Sequence, residues 1–321
     1  MSSTEIKAVA LGGGHGLAAS LRALRRLTPH LTAVVGVSDN GGSSGRLREQ
    51  FDVIPPGDLR MALAALCADD DWGQMWASAL QHRFAGDGEL AGHALGNLLI
   101  TALWQQSNDI VAGLDVVSNL LGATGRVIPL SLQPLDVVAD VEFSDGTQSE
   151  VRGQVQVATT TGRVARLRLE PEVAVTTPQV LEAIAEADVI VMGPGSWFTS
   201  VVNHLLLNDL RSALEASAAT KVLVCNLCSQ TGETSGFTPA DHLSVLSNVA
   251  PGLRFNAVLV DSSLNDDALE RAAHQLGAVL VSTNLAEPSN PQIHHPELLA
   301  RALAAFVKSP MSDTELETAW Q

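Results

Sequence analysis

The apolar stretch Leu31-Thr32-Ala33-Val34-Val35-Gly36-Val37 runs directly into Asp39-Asn40-Gly41-Gly42-Ser43-Ser44-Gly45-Arg46, a segment of turn formers, hydroxyls and one guanidinium. This junction constrains the fold most. A buried strand must end there and hand the chain to a glycine-rich binding loop. Glycines let the backbone bend toward a ligand, so that N–H groups and the hydroxyls of Ser43 and Ser44 can meet phosphate oxygens while Arg46 supplies a positive fork. Asp39, at the strand end, suits a ribose hydroxyl or a metal-bound water. The competing reading is a long surface turn, although ordinary connections run only about 4–6 residues.

A second unit of the same kind precedes it. Lys7–Leu11 reads as a short buried strand, Gly12-Gly13-Gly14-His15-Gly16 as a tight turn, and Leu17 to Leu27 as a helix with Leu17, Leu21, Leu24 and Leu27 on one face. Strand, glycine turn and helix together form a phosphate-binding element, because a helix N-terminus offers free N–H groups and a partial positive charge. Leu17 stands where the third glycine of the dinucleotide fingerprint would fall, which weakens a nicotinamide reading. His15 is either a phosphate contact or a solvated side chain.

Four further stretches repeat the theme. Pro55-Pro56-Gly57-Asp58-Leu59-Arg60 opens a helix through Cys67, with Asp58 and Arg60 near its start. Asp58 there is either a favourable helix cap or part of a phosphate or metal site. Gly92-His93-Ala94-Leu95-Gly96-Asn97 leads into an apolar helix from Leu98 to Trp104, with Asn97 placed to read a base or sugar edge. The buried strand Asp188–Met192 ends in Gly193-Pro194-Gly195-Ser196-Trp197-Phe198-Thr199-Ser200 before another helix, with Gly193, Pro194, Gly195, Ser196 and Thr199 as ligand candidates. After Lys221–Val224 come Asn226 and the polar run Ser229-Gln230-Thr231-Gly232-Glu233-Thr234. Loops at the carboxyl ends of strands are where open α/β sheets bind ligands, so their number argues for one cleft.

Strand and helix patterns alternate as in an α/β domain with a mostly parallel sheet flanked by helices. From Arg126 to about Val175 the period falls to two, with Ser144–Thr147 and Thr161–Arg163 as hairpin turns, which predicts an antiparallel β insertion. One domain over residues 1–321 with a β-rich insertion at about 126–175 is the expectation. Acidic residues outnumber Lys and Arg by 35 to 19, a formal charge of −16 that argues against nucleic acid and anionic membranes. No apolar run is long enough to span a bilayer and no leader pattern opens the chain, so a cytoplasmic protein is expected. Three cysteines fit a reducing compartment, and Cys225-Asn226-Leu227-Cys228 lacks the second pair a zinc site needs. His294 and His295 read as surface residues.

Taken in order, Gly12-Gly13-Gly14 with Gly16-Leu17, the run Asp39 to Arg48, Pro55 to Arg60, Gly92 to Asn97, Leu169-Glu170-Pro171, Gly193 to Ser196 with Thr199-Ser200, and Cys225-Asn226 with Gln230 to Thr234 resemble the bacterial gluconeogenesis factor family. That family is related to the 2-phospho-L-lactate transferases of coenzyme F420 synthesis. The resemblance implies a Rossmann-like core, a cleft for a nucleotide-sugar of the UDP-N-acetylglucosamine type, and a regulatory role in carbon metabolism, cell-wall precursor supply and cell shape, read through a protein partner. It implies no required cofactor. It places anion binding on Gly12 to Gly16, Asp39 to Arg46 and Gly193 to Ser196, and the nucleotide or sugar on Asn226 and Gln230 to Thr234. The alternative is a phospholactyl or phosphoryl transferase, which needs Mg2+, with Asp39 and Asp58 the two carboxylates placed to hold it; a dinucleotide oxidoreductase is the third class. This chain departs from the family at Asn40, where relatives more often have Asp, at His15, where they have Thr, and near Phe237, where they have Tyr. It contains no tyrosine at all.

Overall fold

The computed structural model describes residues 5–230 and 232–307. The chain opens with β1 (Ala8–Gly12), α1 (Gly14–Leu24) and β2 (Leu31–Val35), followed by five helices in succession: α2 (Gly42–Phe51), α3 (Gly57–Leu66), α4 (Asp71–Gln81), α5 (Leu95–Ser107) and α6 (Ile110–Leu121). Next come β3 (Arg126–Pro129), β4 (Asp136–Glu142), β5 (Gln148–Arg152), α7 (Gln154–Ala158) and β6 (Arg163–Glu170). The α/β pattern then resumes with α8 (Pro178–Glu186), β7 (Val189–Met192), α9 (Asn208–Ala216), β8 (Thr220–Val224), α10 (Pro239–Val249), β9 (Ala257–Asp261), α11 (Asp267–Gln275) and β10 (Val279–Thr283). A short hairpin, β11 (Ala286–Glu287) and β12 (Asn290–His294), leads to α12 (Pro296–Val307).

Seven strands form one parallel sheet in the order β10-β9-β8-β7-β1-β2-β3. β1 lies inside it and pairs with both β2 and β7. The chain therefore builds outward from β1 in one direction, then returns to the other side of β1 at β7. That reversal opens a crevice at the carboxyl ends of β1 and β7, the place where doubly wound sheets take ligands. Continuous apolar runs such as Ala8–Leu11 and Val189–Met192 are buried along their whole length, as strands covered on both faces require.

The antiparallel sheet, in the order β5-β4-β6, occupies residues 136–170. It is narrower than the period-two stretch, because Arg126–Pro129 pairs parallel with β2 and closes the main sheet instead. Phe143 to Thr147 makes the expected hairpin turn, with Gly146 at φ +83°. Thr161–Arg163 does not join adjacent strands: α7 intervenes after β5, and the turn returns the chain to β6 beside β4.

Other boundaries shift for identifiable reasons. α1 begins at Gly14 rather than Leu17, since its first turn consists of Gly and His and carries no apolar signal. The run Asp39–Arg46 is half loop and half helix: Gly41 is the N-cap of α2 and Ser43 and Ser44 are buried in its first turn. Gly193–Ser196 leads into a π-turn, Trp197–Val201, and a 3-10 turn, Val202–Leu206, instead of an α-helix. His294 is buried rather than on the surface, because β12 lays it beside the carboxyl end of β8; His295 is half-buried.

Candidate functional site

Two groups of predicted residues meet at the crevice. On the β2 side, Asp39, Ser44 and Asp58 converge on Gly57, the first residue of α3: a Cβ there would stand 3.0 Å from Asp39 Oδ2 and collide with Ser44 Oγ. Gly13 must also be bare, since a Cβ would come within 2.5 Å of Asp58 Oδ2 and 3.5 Å of Ser200 Oγ. Burial and the charge of Asp39 push the Asp58 carboxyl up to about 7, against the Gly14 N–H it accepts and the Arg60 guanidinium. On the β7 side, His15 and Gly16 of α1, Pro194 and Gly195, and Asn226 and Gln230 line a groove closed by Gln292, Ile293 and His294 of β12.

The loop amides expected on phosphate are partly engaged by the protein's own acceptors. Gly14 donates to Asp58. Gly41 donates to Asp39 Oδ1 at 2.9 Å. Asn226 clamps Gly195 from both sides, accepting from its N–H and donating to its carbonyl, each at 2.9 Å. Glu233, almost wholly buried, accepts the Phe198 N–H at 3.1 Å and faces the N–H groups of Trp197 and Thr199. Burial pushes its carboxyl up to about 7 despite these bonds. The acid thus occupies the start of the π-turn, the position a ligand phosphate was expected to take. Thr234 is fully buried behind it, and Thr231 lies outside the described residues.

Several expected ligand groups have structural partners. Ser43 Oγ bonds His93 Nδ1 and receives Asn97 Nδ2, both at 3.0 Å, so Asn97 faces a buried hydroxyl rather than a base edge. Replacing Ser43 with Ala is expected to cost about 1–3 kcal/mol in urea unfolding, because it orphans the buried Asn97 amide. An unchanged midpoint would show that Asn97 finds another partner. Arg46 is exposed and donates to the Ala91 carbonyl at 2.8 Å. Arg60 is buried and donates to Gln81, its charge disfavoured first by burial and then by Arg83. Gly12, Gly42, Gly45 and Ser196 shape the loops; Gly45 leaves room for the Asn40 carbonyl.

Sequence reasoning missed His294 and Ser38. Burial holds the His294 imidazole down to about 4. No local pattern could find it, since a hairpin 66 residues downstream of Cys228 carries it into the groove. Ser38 donates to Gln154 of the insertion at 2.8 Å, a contact 116 residues apart in sequence. A larger hollow lies at the opposite edge of the sheet, but its Lys and Arg side chains are already matched: Lys7 pairs with Glu186 and Arg126 with Asp115, and the His30 ring bonds Glu5. Among the described residues, no three His, Cys, Asp or Glu side chains cluster as metal ligands, and no helix is long and apolar enough to cross a membrane.

A family model described as 2-phospho-L-lactate transferase CofD matches residues 8–295. A Mycobacterium tuberculosis H37Rv protein, provisionally named a gluconeogenesis factor, is 48% identical over 303 residues, covering 92% of this chain and 88% of that one. The gluconeogenesis factor of Listeria innocua is 43% identical over 243 residues, or 76% and 73% of the two chains. The crystal structure of a UPF0052-family protein from Bacillus halodurans matches with a TM-score of 0.84 at 32% identity, over 94% of this chain and 99% of that one. With its doubly wound sheet and its ordered glycine loops, the chain belongs to the CofD family, among the members that carry the name gluconeogenesis factor.

Proposed function

We propose that this protein binds a nucleotide-sugar of the UDP-N-acetylglucosamine type across the carboxyl edge of its sheet, as a regulator linking carbon metabolism to cell-wall precursor supply and cell shape. The convergence of the loops after β1, β7 and β8 on one groove at the β1/β7 reversal, with the β2 loop joined to it where Asp58 meets Gly13 and Asp39 meets Gly57, carries the reading. The groove offers the amides of Asn226, Gln230 and Gln292 and the imidazole of His15 among apolar walls, with the Ser44 and Ser200 hydroxyls beside it at Gly57 and Gly13, polar groups suited to phosphates and sugar hydroxyls. Phe198 and His242 are buried and pack against Phe237, the half-buried ring of the three, which stands ready to stack in a chain without tyrosine.

A thermal-shift series tests this. A ligand at about 100 times its Kd adds about 2.7 kcal/mol of stability. UDP-N-acetylglucosamine is expected to stabilise the protein and NAD to leave it unchanged; strong, saturable NADH binding overturns the proposal. Arg46→Ala is expected to weaken nucleotide-sugar binding by about 1.5–3 kcal/mol without unfolding the chain, since four of the guanidinium's five N–H groups remain after the Ala91 bond. Unchanged affinity assigns Arg46 to the Ala91 loop alone.

The Asp39–Asp58 pair favours a second reading, a transferase of the kind the family name describes, working with a metal ion. Two carboxylates beside the Ser44 and Ser200 hydroxyls fit Mg2+, which binds through one or two carboxylates and leaves its other positions to water and phosphate oxygens. Asp39 and Asp58 would hold the ion, which would neutralise charge on a transferring phosphoryl group. Incubation with Mg2+, a phospholactyl-nucleotide donor and a deazaflavin acceptor, followed by mass spectrometry, separates the readings. Transfer product that disappears in Asp58→Asn supports the transferase.

A further inference from the structure

The insertion does not merely decorate the sheet. Its one helix, α7, lies between two candidate ligand loops and bonds to both. At the β2 end, Asn40 Oδ1 accepts the Val155 N–H at 3.0 Å while Asn40 Nδ2 donates to Gln156 Oε1 at 2.9 Å. Ser38 Oγ reaches Gln154 beside them. At the β8 end, the Ala158 carbonyl accepts the Glu233 N–H at 3.1 Å. Both ends are packed too closely for extra atoms: Cβ atoms on Gly153 and Gly232 would collide with the Asn40 amide and the Ala158 carbonyl, and one on Gly41 would stand 2.8 Å from Val155 Cγ2.

We propose that α7 is a strap that fixes the β2 loop and the β8 loop relative to each other, with Asn40 as its positioning residue. The Asn40 acceptor takes the Val155 N–H in the first turn of α7 and its donor meets the Gln156 side-chain oxygen, so one side chain holds two residues of the helix. Asn40 therefore acts on the crevice through α7 rather than by touching the ligand. The consequence is coupling: a ligand that orders one loop orders the other through five residues of helix, and the exposed outer face of the insertion registers the change. The idea rests on the nucleotide-sugar reading for the identity of the ligand, not for the coupling itself.

Hydrogen exchange in the ligand-free protein, read by mass spectrometry, tests the strap from both ends. Asn40→Leu removes the β2 anchor, and Gly232→Ala, with φ at +104° and no room beside Ala158, disturbs the β8 anchor. Each variant is expected to speed exchange about tenfold at its own end and at the far end: Asn40→Leu at the Glu233 amide, and Gly232→Ala at the Val155 amide. Loosening confined to the mutated end in either variant overturns the proposal, as does a far end that responds equally to a control substitution on the outer face, Gln148→Ala. The two variants approach from opposite sides, so the failure of one to fold leaves the other to decide. Adding UDP-N-acetylglucosamine to the wild type then tests the ligand separately. Slower exchange in both the 153–159 and 232–235 segments supports both claims, and no change in either loop sinks the nucleotide-sugar reading while the ligand-free result still judges the strap.

Discussion

Gly16→Val is expected to abolish ligand binding and to cost more than about 3 kcal/mol of folding stability. A Cβ on Gly16 would run into the Pro194 carbonyl and stand 2.8 Å from Gly195 Cα, so the first turn of α1 and the loop after β7 touch backbone to backbone. Neither side can yield cheaply. Gly195 is clamped by Asn226, and the Gly193 carbonyl accepts Ser20 Oγ at 2.8 Å, which ties the same loop to α1 one turn further on. Overpacking a site that cannot relax typically costs about 1–3 kcal/mol per added group and more against fixed backbone. Ala at this position should be intermediate. Chemical unfolding of both variants with a nucleotide-sugar titration checks the order glycine, alanine, valine in stability and affinity. A Gly16→Val protein with wild-type affinity would move the ligand away from the β1/β7 reversal.

The loops that carry this site were legible because glycine, serine and aspartate after an apolar run have few other uses. Gly12–Gly16, Asp39–Asp58 and Gly193–Gly195 all reach the crevice, and the parallel sheet follows from unbroken apolar strands spaced by helices. What stayed hidden is the destination of each polar atom. Asn97 and Ser43 look alike as ligand groups and as partners for each other, and only the packing of α2 against α5 makes them partners. Glu233 reads as a ligand contact in the polar run after Asn226 until the fold turns it under the π-turn. His294 and the Ser38–Gln154 contact depend on chain separations of scores of residues, beyond the reach of any local period. The edge role of Arg126–Pro129 was missed because four residues fit a parallel edge strand and the start of an antiparallel run equally well.

Asp58→Asn is expected to stabilise the protein at pH 8 by about 2–4 kcal/mol, and not at all near pH 4. The carboxyl sits at about 7 in the folded chain against an ordinary 3.8. It therefore holds its proton more tightly when folded, contributes its full stability below about pH 4, and loses it as pH rises through 7. About three pKa units correspond to at most about 4 kcal/mol, and the partial access of Asp58 to solvent lowers the figure. Glu233 tilts stability the same way. His204, His242 and His294, each held down to about 4 by burial, tilt it oppositely, contributing above about 6.5 and failing as pH falls through 4. Wild-type stability is thus a sum of opposed slopes across one window, and only the difference between wild type and Asp58→Asn isolates one carboxyl. Urea unfolding at pH 4, 6 and 8 measures that difference. A constant gain at every pH would mean that charge at Asp58 is not what the fold opposes, and a loss at pH 8 would mean that the Gly14 N–H and Arg60 outweigh burial and Asp39. Mg2+ sharpens the result, because an ion between Asp39 and Asp58 relieves the same repulsion that the asparagine removes. If the pair binds it, Mg2+ should stabilise the wild type at pH 8 and leave Asp58→Asn unchanged, and equal shifts in the two proteins would place the ion elsewhere.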